Sequence, residues 1–251
     1  MEFSHLSSSV SIKTISEDAK EGIFEIEGLY AGYGLTVGTA LRRALLSSLP
    51  GAAVTEIKIK GVPHEFSTLP GLQEDIVEFS LNFKKLYFRM HTDEPQVLSL
   101  KMKGEGEITG GDIELNSDVE LINPDEVLGH LTAKDAEIDI EVRVERGLGY
   151  VASEGRRTEG RLPIGTIAID AIFTPVIRVN YTVDDMRVGD RTDYNKLRIE
   201  VGTNGTISPS SALHKASVIL KDHFEKVGVV EVKEFEAPKA ETKKKAAAKK
   251  K

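Results

Sequence analysis

Gly28-Leu-Tyr-Ala-Gly-Tyr-Gly-Leu-Thr-Val-Gly-Thr-Ala-Leu-Arg-Arg-Ala-Leu-Leu-Ser-Ser-Leu-Pro-Gly51 is the stretch that decides the fold. Its glycines open a turn, and helix-forming residues follow. Thr36 offers a hydroxyl to the first unpaired N–H groups, so the spacing predicts a helix over 36–48 with Thr36 as N-cap. Ser48-Leu-Pro50-Gly51 ends it. On a wheel of about 100° per residue, Val37, Ala40, Leu41, Ala44 and Leu45 share one stripe. Thr39, Arg42, Arg43 and Leu46 fall opposite. The first stripe buries something. The second sets a leucine beside two arginines. That leucine is either one exposed apolar residue of the common kind or an Arg-flanked anchor for a docking partner.

Working outward, Val10 and Ile12 alternate with Ser11 and Lys13. A polar turn at Asp18–Gly22 follows, and then Phe24 and Ile26 alternate with Glu25 and Glu27. Beyond the helix, Ile57 and Ile59 alternate with Lys58 and Lys60. A second helix is expected from about Gln73 to Tyr87, with Glu74 and Asp75 at the positive end of its dipole and Ile76, Phe79, Phe83 and Leu86 as its stripe. From Val97 to Arg146 the pattern is short strands with glycine turns. Residues 147–163 are Gly- and Arg-rich and read as a long loop. Strands resume at Ile167–Ile169 and Ile177–Val183, and Leu197–Val201 leads into an Asn204-Gly205 turn. Ser208-Pro209 starts a last helix that runs to about Val227. Its stripe is Leu213, Ala216, Leu220, Phe224 and Val227. The whole is an α+β pattern without regular strand–helix alternation. Two amphipathic helices at opposite ends of the chain, each with small residues in its stripe, fit packing together and against a symmetric copy. They fit a monomer core equally well on periodicity alone.

Charge separates the body from its end. The net charge is −7, of which 237–251, with seven lysines and one glutamate, contributes +6, so residues 1–236 carry −13. An acidic body is a poor wrapper for nucleic acid, whose affinity comes largely from cations that displace phosphate counterions. Cysteine is absent, which excludes disulfides, thiol catalysis and thiolate metal sites and fits a cytoplasmic protein. No apolar run approaches the roughly 18 residues of a membrane span, and no secretory signal is visible at the N-terminus.

No residues assemble into a catalytic, cofactor or metal motif. Gly32-x-Gly34-x-x-x-Gly38 resembles a dinucleotide fingerprint with one residue too many, but βαβ units are missing on both sides. Backbone turns and close helix packing account for those glycines. Glu137, Asp139 and Glu141 align on one strand face, where a solvated surface is the expectation, since hard cations want ligands converging from several directions. The histidines show neither metal-ligand spacing nor a serine nucleophile beside them.

Ordered blocks along the chain are similar to bacterial RNA polymerase alpha subunits. The first is Tyr33–Thr55. Gly61–Thr68 and Gln73–Val77 continue it, followed by Gly149–Val151, Ile169–Ala171, Arg178–Tyr181, Arg187-Val188, Arg191–Asp193 and Thr203–Ile207. The resemblance covers about 10–228. It implies a two-part amino-terminal fold. Residues 1–50 plus 177–236 would form a helix-pair and β-sheet dimerisation subdomain, and 51–176 an inserted, mainly β subdomain. The expected function is a homodimeric assembly platform for the beta and beta-prime subunits, without an active site or cofactor of its own. The two helices would pack across the two-fold axis through Val37, Leu41, Ala44, Leu45, Leu213, Ala216, Leu220, Phe224 and Val227. Arg42, Arg43 and Leu46 match positions used against beta, and His64, Glu65, Phe66, Ser67, Thr68 and Gln73 a second beta-contacting segment. Arg178, Asn180, Arg187, Arg191, Thr192 and Asp193 resemble the beta-prime side. The rival reading is a scaffold of the same fold serving another assembly. Where the usual subunit continues into a small DNA-binding domain, this sequence ends in the Lys/Ala-rich segment 237–251. That segment is expected to be disordered and to touch DNA, if at all, by non-specific phosphate attraction within the assembled complex.

Overall fold

The computed structural model describes residues 8–154, 163 and 165–230. The segment 237–251 and residues 155–162 of the expected loop lie outside the described residues. In chain order the elements are β1 (Ser11–Glu17), β2 (Glu21–Leu29), α1 (Tyr33–Ser47), β3 (Pro50–Ile59), α2 (Ile76–Asn82), β4 (Phe88–Met90), β5 (Gln96–Lys103), β6 (Gly106–Thr109), β7 (Ile113–Glu114), β8 (Val119–Leu121), β9 (Val127–Leu131), β10 (Glu137–Leu148), β11 (Tyr150–Val151), β12 (Thr166–Ala168), β13 (Ala171–Ile172), β14 (Val176–Val188), β15 (Arg191–Thr203) and α3 (Pro209–Val227). The fold is mixed α+β.

One sheet joins the two ends of the chain in the order β1-β2-β15-β14, every neighbour antiparallel. Phe24 and Ile26 from β2 and Leu197, Ile199 and Val201 from β15 point inward, as period-two alternation requires. α1 and α3 lie on that face, and Leu41, Ala44, Leu45, Ala212, Leu213 and Ala216 complete the core beneath them. The larger sheet follows the path β7-β5-β10-β3-β4-β8, with β12 also paired to β3. It holds a second core around Ile57, Phe79, Phe83, Leu100, Ile140 and Val142. Arg89 ties the parts together: Nε donates to Thr206 O at 2.9 Å and one terminal nitrogen to Gly205 O at 3.2 Å.

Several boundaries differ from the sequence expectation. α1 begins at Tyr33, and Gly32, not Thr36, is its N-cap residue, without a side-chain bond of its own. The Thr36 hydroxyl instead bonds back to Gly32 O at 3.4 Å. α2 is half the expected helix, Ile76–Asn82, followed by a 3₁₀ turn at Phe83–Lys85. Asp75 accepts from Glu78 N at 2.7 Å and so fixes the start. Asn82 Nδ2 donates to Leu128 O, and Asn123 bonds both Lys85 O and Tyr87 N, drawing the chain out of helix into β4. The stripe Ile76, Phe79, Phe83 and Leu86 is nonetheless buried. Gly110-Gly111 belongs to a 3₁₀ turn. β10 runs on to Leu148, where a loop was expected, because it pairs with β3 as far as Pro50. β14 and β15 also exceed the expected strands, meeting at a two-residue turn, Gly189-Asp190, with Gly189 at φ 62°. Their outer halves are polar and lack the alternation that marks a strand. α3 has the expected bounds and Ser208 cap.

Candidate protein-docking site

The seat of α1 explains the glycines that precede it. Gly32 sits at φ 83°, the left-handed region open to glycine. A Cβ on Gly34 would lie 2.6 Å from a methyl of Val183, and one on Gly38 2.8 Å from the Tyr181 ring. The helix therefore lies directly on the β14–β15 ladder. Two N–H groups at its start point to one side chain, with Asn195 Oδ1 accepting from Gly32 N at 2.9 Å and Gly34 N at 3.3 Å.

On this seat α1 meets α3, and the expected interface residues separate into two sets. Leu45 and Ala216 are 0 % exposed, and Leu41, Ala44 and Leu213 are also buried within the chain's own core. Val37 and Leu220 are half-buried at its margin. Phe224 and Val227 are 66 % and 69 % exposed. α3 thus carries its stripe well beyond the body that buries its first half. Between α1, α3 and the first strands runs an open apolar groove of about 680 Å³, lined by Val10, Ile12, Leu29, Val37, Leu220 and Phe224 among others. β1 is an edge strand exposed along its whole length, with Ile12 and Ile15 left in water.

Arg42 and Arg43 are exposed on α1, whereas Leu46 is half-buried and packed on the core beneath the helices. It is less of a free anchor than the helical wheel suggested. In the segment 64–73, His64, Thr68 and Gln73 are exposed and Glu65 and Ser67 half-buried. Phe66 is 80 % exposed, with its ring 6.5 Å from that of His64. The segment is stitched to β9 by backbone bonds from Gln73 N to His130 O and from Thr132 N to Gly71 O. Glu74 fastens the join. Its carboxylate takes His130 Nδ1 at 2.6 Å and His130 N at 2.8 Å. Burial works against ionisation of Glu74, but the bonds from His130 hold its carboxyl below the usual range. The same carboxylate raises the His130 imidazole above its ordinary value, with Glu107 3.8 Å away adding to the effect.

The residues expected on the beta-prime side lie along β14–β15, all exposed. Arg178 pairs with Glu21 at 2.9 Å, and Arg187 Nε donates to Gly189 O at 2.8 Å. Arg191 grips Asp193 with two bonds of 3.0 and 2.6 Å and lies over the Tyr30 and Tyr194 rings, 4.8 and 5.4 Å from their centroids. The Asp193 carboxylate pushes the Arg191 pKa up, and the guanidinium lowers that of Asp193 in return. Thr192 lies between them, and Asn180 is further down β14.

Glu137 and Glu141, two of the three aligned carboxylates, face lysines: Lys103 at 3.0 Å and Lys58 at 3.6 Å. Among the described residues no group of three or more His, Asp or Glu side chains could hold a metal ion, and no helix is long and apolar enough to cross a membrane. Two side chains that fasten these segments escaped the sequence reading. His130 carries no local signal for its pairing with Glu74. Asn195 does, because it occupies the inward phase that continues as Leu197, Ile199 and Val201.

Known proteins are similar to this chain over most of its length. A family described as the RNA polymerase Rpb3/RpoA insert domain matches residues 57–174. The DNA-directed RNA polymerase subunit alpha of Symbiobacterium thermophilum is 52% identical over 211 residues, 84% of this chain and 66% of that protein. The same subunit of Alkaliphilus oremlandii is 48% identical over 215 residues, 86% of this chain and 67% of the relative. That of Moorella thermoacetica is 48% identical over 207 residues, 82% of this chain and 66% of the relative. The chain spans about two thirds of the length of the curated relatives it matches. On identities of this size over that span, the chain belongs to the family of DNA-directed RNA polymerase alpha subunits.

Proposed function

We propose that this chain is the dimerising scaffold on which the beta and beta-prime subunits of a DNA-dependent RNA polymerase assemble in the cytoplasm. The observation that carries the reading is the stripe of α3, which continues through Leu220, Phe224 and Val227 after its own core has ended at Ala216. A helix that exposes large apolar residues on one continuous line gains stability by burying them against a partner. A two-fold axis brings the same stripe from a second copy to it. Val37, Leu220, Phe224 and Val227 then form the contact, while Leu41, Ala44, Leu45, Leu213 and Ala216 fix its shape from beneath.

Arg42, Arg43 and Leu46, with the segment from His64 to Gln73, form the beta face. The hairpin residues Arg178, Asn180, Arg187, Arg191, Thr192 and Asp193 form the beta-prime face. Residues 1–50 and 177–236 act as the dimerisation subdomain and 51–176 as the insertion. The two hydrophobic clusters support this division. Nucleotidyl transfer lies with the large subunits. This chain contributes placement. Mass spectrometry of what co-purifies with the tagged chain from its own cells tests the role. The expected result is beta and beta-prime at roughly one each per two copies, the two copies of the dimer taking unequal roles. Recovery of the homodimer alone under gentle conditions would overturn it.

A further inference from the structure

Asn195 lies in neither proposed docking face. It is 8 % exposed on β15, beside a register irregularity between Asn195 and Leu197 in the pairing with β2, the kind of kink that re-aims a side chain. Its Oδ1 accepts the two N–H groups at the start of α1, from Gly32 and Gly34. Its Nδ2 donates to Oδ1 of Asp185, its cross-strand neighbour on β14, at 3.1 Å. Because the two glycine groups can only donate and the carboxylate is there to accept, this arrangement fixes which way the amide faces. α1 has no side-chain cap of its own. A residue more than 160 positions away supplies one, as the separations of 163 and 161 residues record.

We propose that Asn195 is a positioning residue that sets the α1 docking face and the β14–β15 docking face in one fixed geometry. Other ties of this region to the hairpin are Gly28 N to the Met186 sulfur at 3.1 Å, the stack of Tyr30 against Arg191 and Tyr194, the Thr39–Tyr181 hydroxyl pair at 2.9 Å and the packing of Gly34 and Gly38 on Val183 and Tyr181. Sulfur is a weak acceptor, and the stack lies at the exposed rim. Asn195 supplies the acceptor for the helix-start N–H groups. Without the amide, two helix-start N–H groups lose their partner, and the first turn of α1 loses the bond that fixes its position on the hairpin. Arg42 and Arg43 then move relative to Arg187 and Arg191. A single buried side chain therefore governs both recruitments.

The inference rests on the docking reading above, and its test separates the two. Capture of beta by the full-length dimer, and of beta-prime by the dimer–beta complex, is measured for Asn195→Ala and for the exchange N195D/D185N. The exchange restores an acceptor at 195 and a donor at 185, and a carboxylate is favoured at a helix start. Arg43→Ala and Arg191→Ala serve as face controls. Asn195→Ala is expected to weaken both captures about tenfold, the scale of a lost buried acceptor, with dimer mass unchanged. The exchange is expected to recover both. If each control lowers capture but Asn195→Ala lowers neither or only one, or the exchange is no better than Asn195→Ala, the positioning role is overturned. If Asn195→Ala does not fold, the exchange variant alone decides, with wild-type capture expected and a loss in either recruitment counting against the proposal. If the controls themselves leave capture unchanged, the docking reading fails and the inference with it.

Discussion

Glu74 and His130 join the segment 64–73 to β9 through a carboxylate–imidazole bond of 2.6 Å. Each group stabilises the fold over a different pH range. His130 has a raised folded pKa, so its contribution is complete below the ordinary imidazole value and is lost as pH rises through the raised one. Glu74 has a lowered pKa, so its contribution is present above the ordinary carboxyl value and is lost as pH falls through the lowered one. The two overlap between about pH 5 and 6, given ordinary values near 4.3 and 6.5. Urea midpoints of the wild type and Glu74→Gln should therefore differ most in that window, and the gap should narrow as pH rises through the raised His130 value, leaving only the contribution of Glu74. A gap that did not vary with pH would contradict the pairing. Neither partner was legible in the sequence, because 56 residues separate them and no local pattern joins a strand histidine to a glutamate before a helix. Asn195 was more accessible, as a polar residue on the inward phase of an otherwise apolar strand marks a side chain with a bonded task.

At the scale of elements, periodicity located α3 to the residue. Ser208 supplies its cap and Pro209 its first turn. The cap bond is long, 3.4 Å from Ser211 N to the Ser208 hydroxyl, so Ser208→Ala should cost no more than about 0.5–1 kcal/mol. That corresponds to a fall of roughly 1–4 °C in melting temperature for a chain of this size, and calorimetry checks it. α1 was placed less well, because the group that caps it comes from β15, whereas Thr36 was the nearest residue of the right type. The length of α2 failed for the same kind of reason, with Asn82 and Asn123 bonding across loops to end it. The two stripes differ in what they bury, and substitution separates them. Leu45→Asp places an unpaired charge where nothing is exposed and should cost several kcal/mol, about enough to unfold the chain. Phe224→Asp should leave the circular dichroism of the chain intact while removing the contact between copies. Loss of secondary structure in Phe224→Asp would make that residue part of the protomer core instead.

Across the whole molecule, the α+β class and the absence of βαβ order were readable from alternation and helix spacing. The pairing of the first strands with the last was not, since β2 and β15 meet from opposite ends of the chain and short-range pattern carries no information about it. The ordered family blocks implied that residues 1–50 and 177–236 belong together but named no strand pairing. They did not distinguish residues that line a surface from those that support it, and five of the nine expected interface residues, from Leu41 to Ala216, proved to be buried within the chain itself. The acidic body, −13 over residues 1–236, is a poor surface for phosphate backbones.

The dimer is the central claim, and native mass measurement of the full chain beside Phe224→Asp tests it most directly. A two-fold interface repeats each substitution, so one aspartate removes two anchors of about 1.5–3 kcal/mol each. The expected result is a wild-type mass of about 55 kDa, twice the 27.5 kDa of the chain, and a folded variant at the mass of one chain. A monomeric wild type, or a Phe224→Asp dimer as stable as the original, would contradict the account.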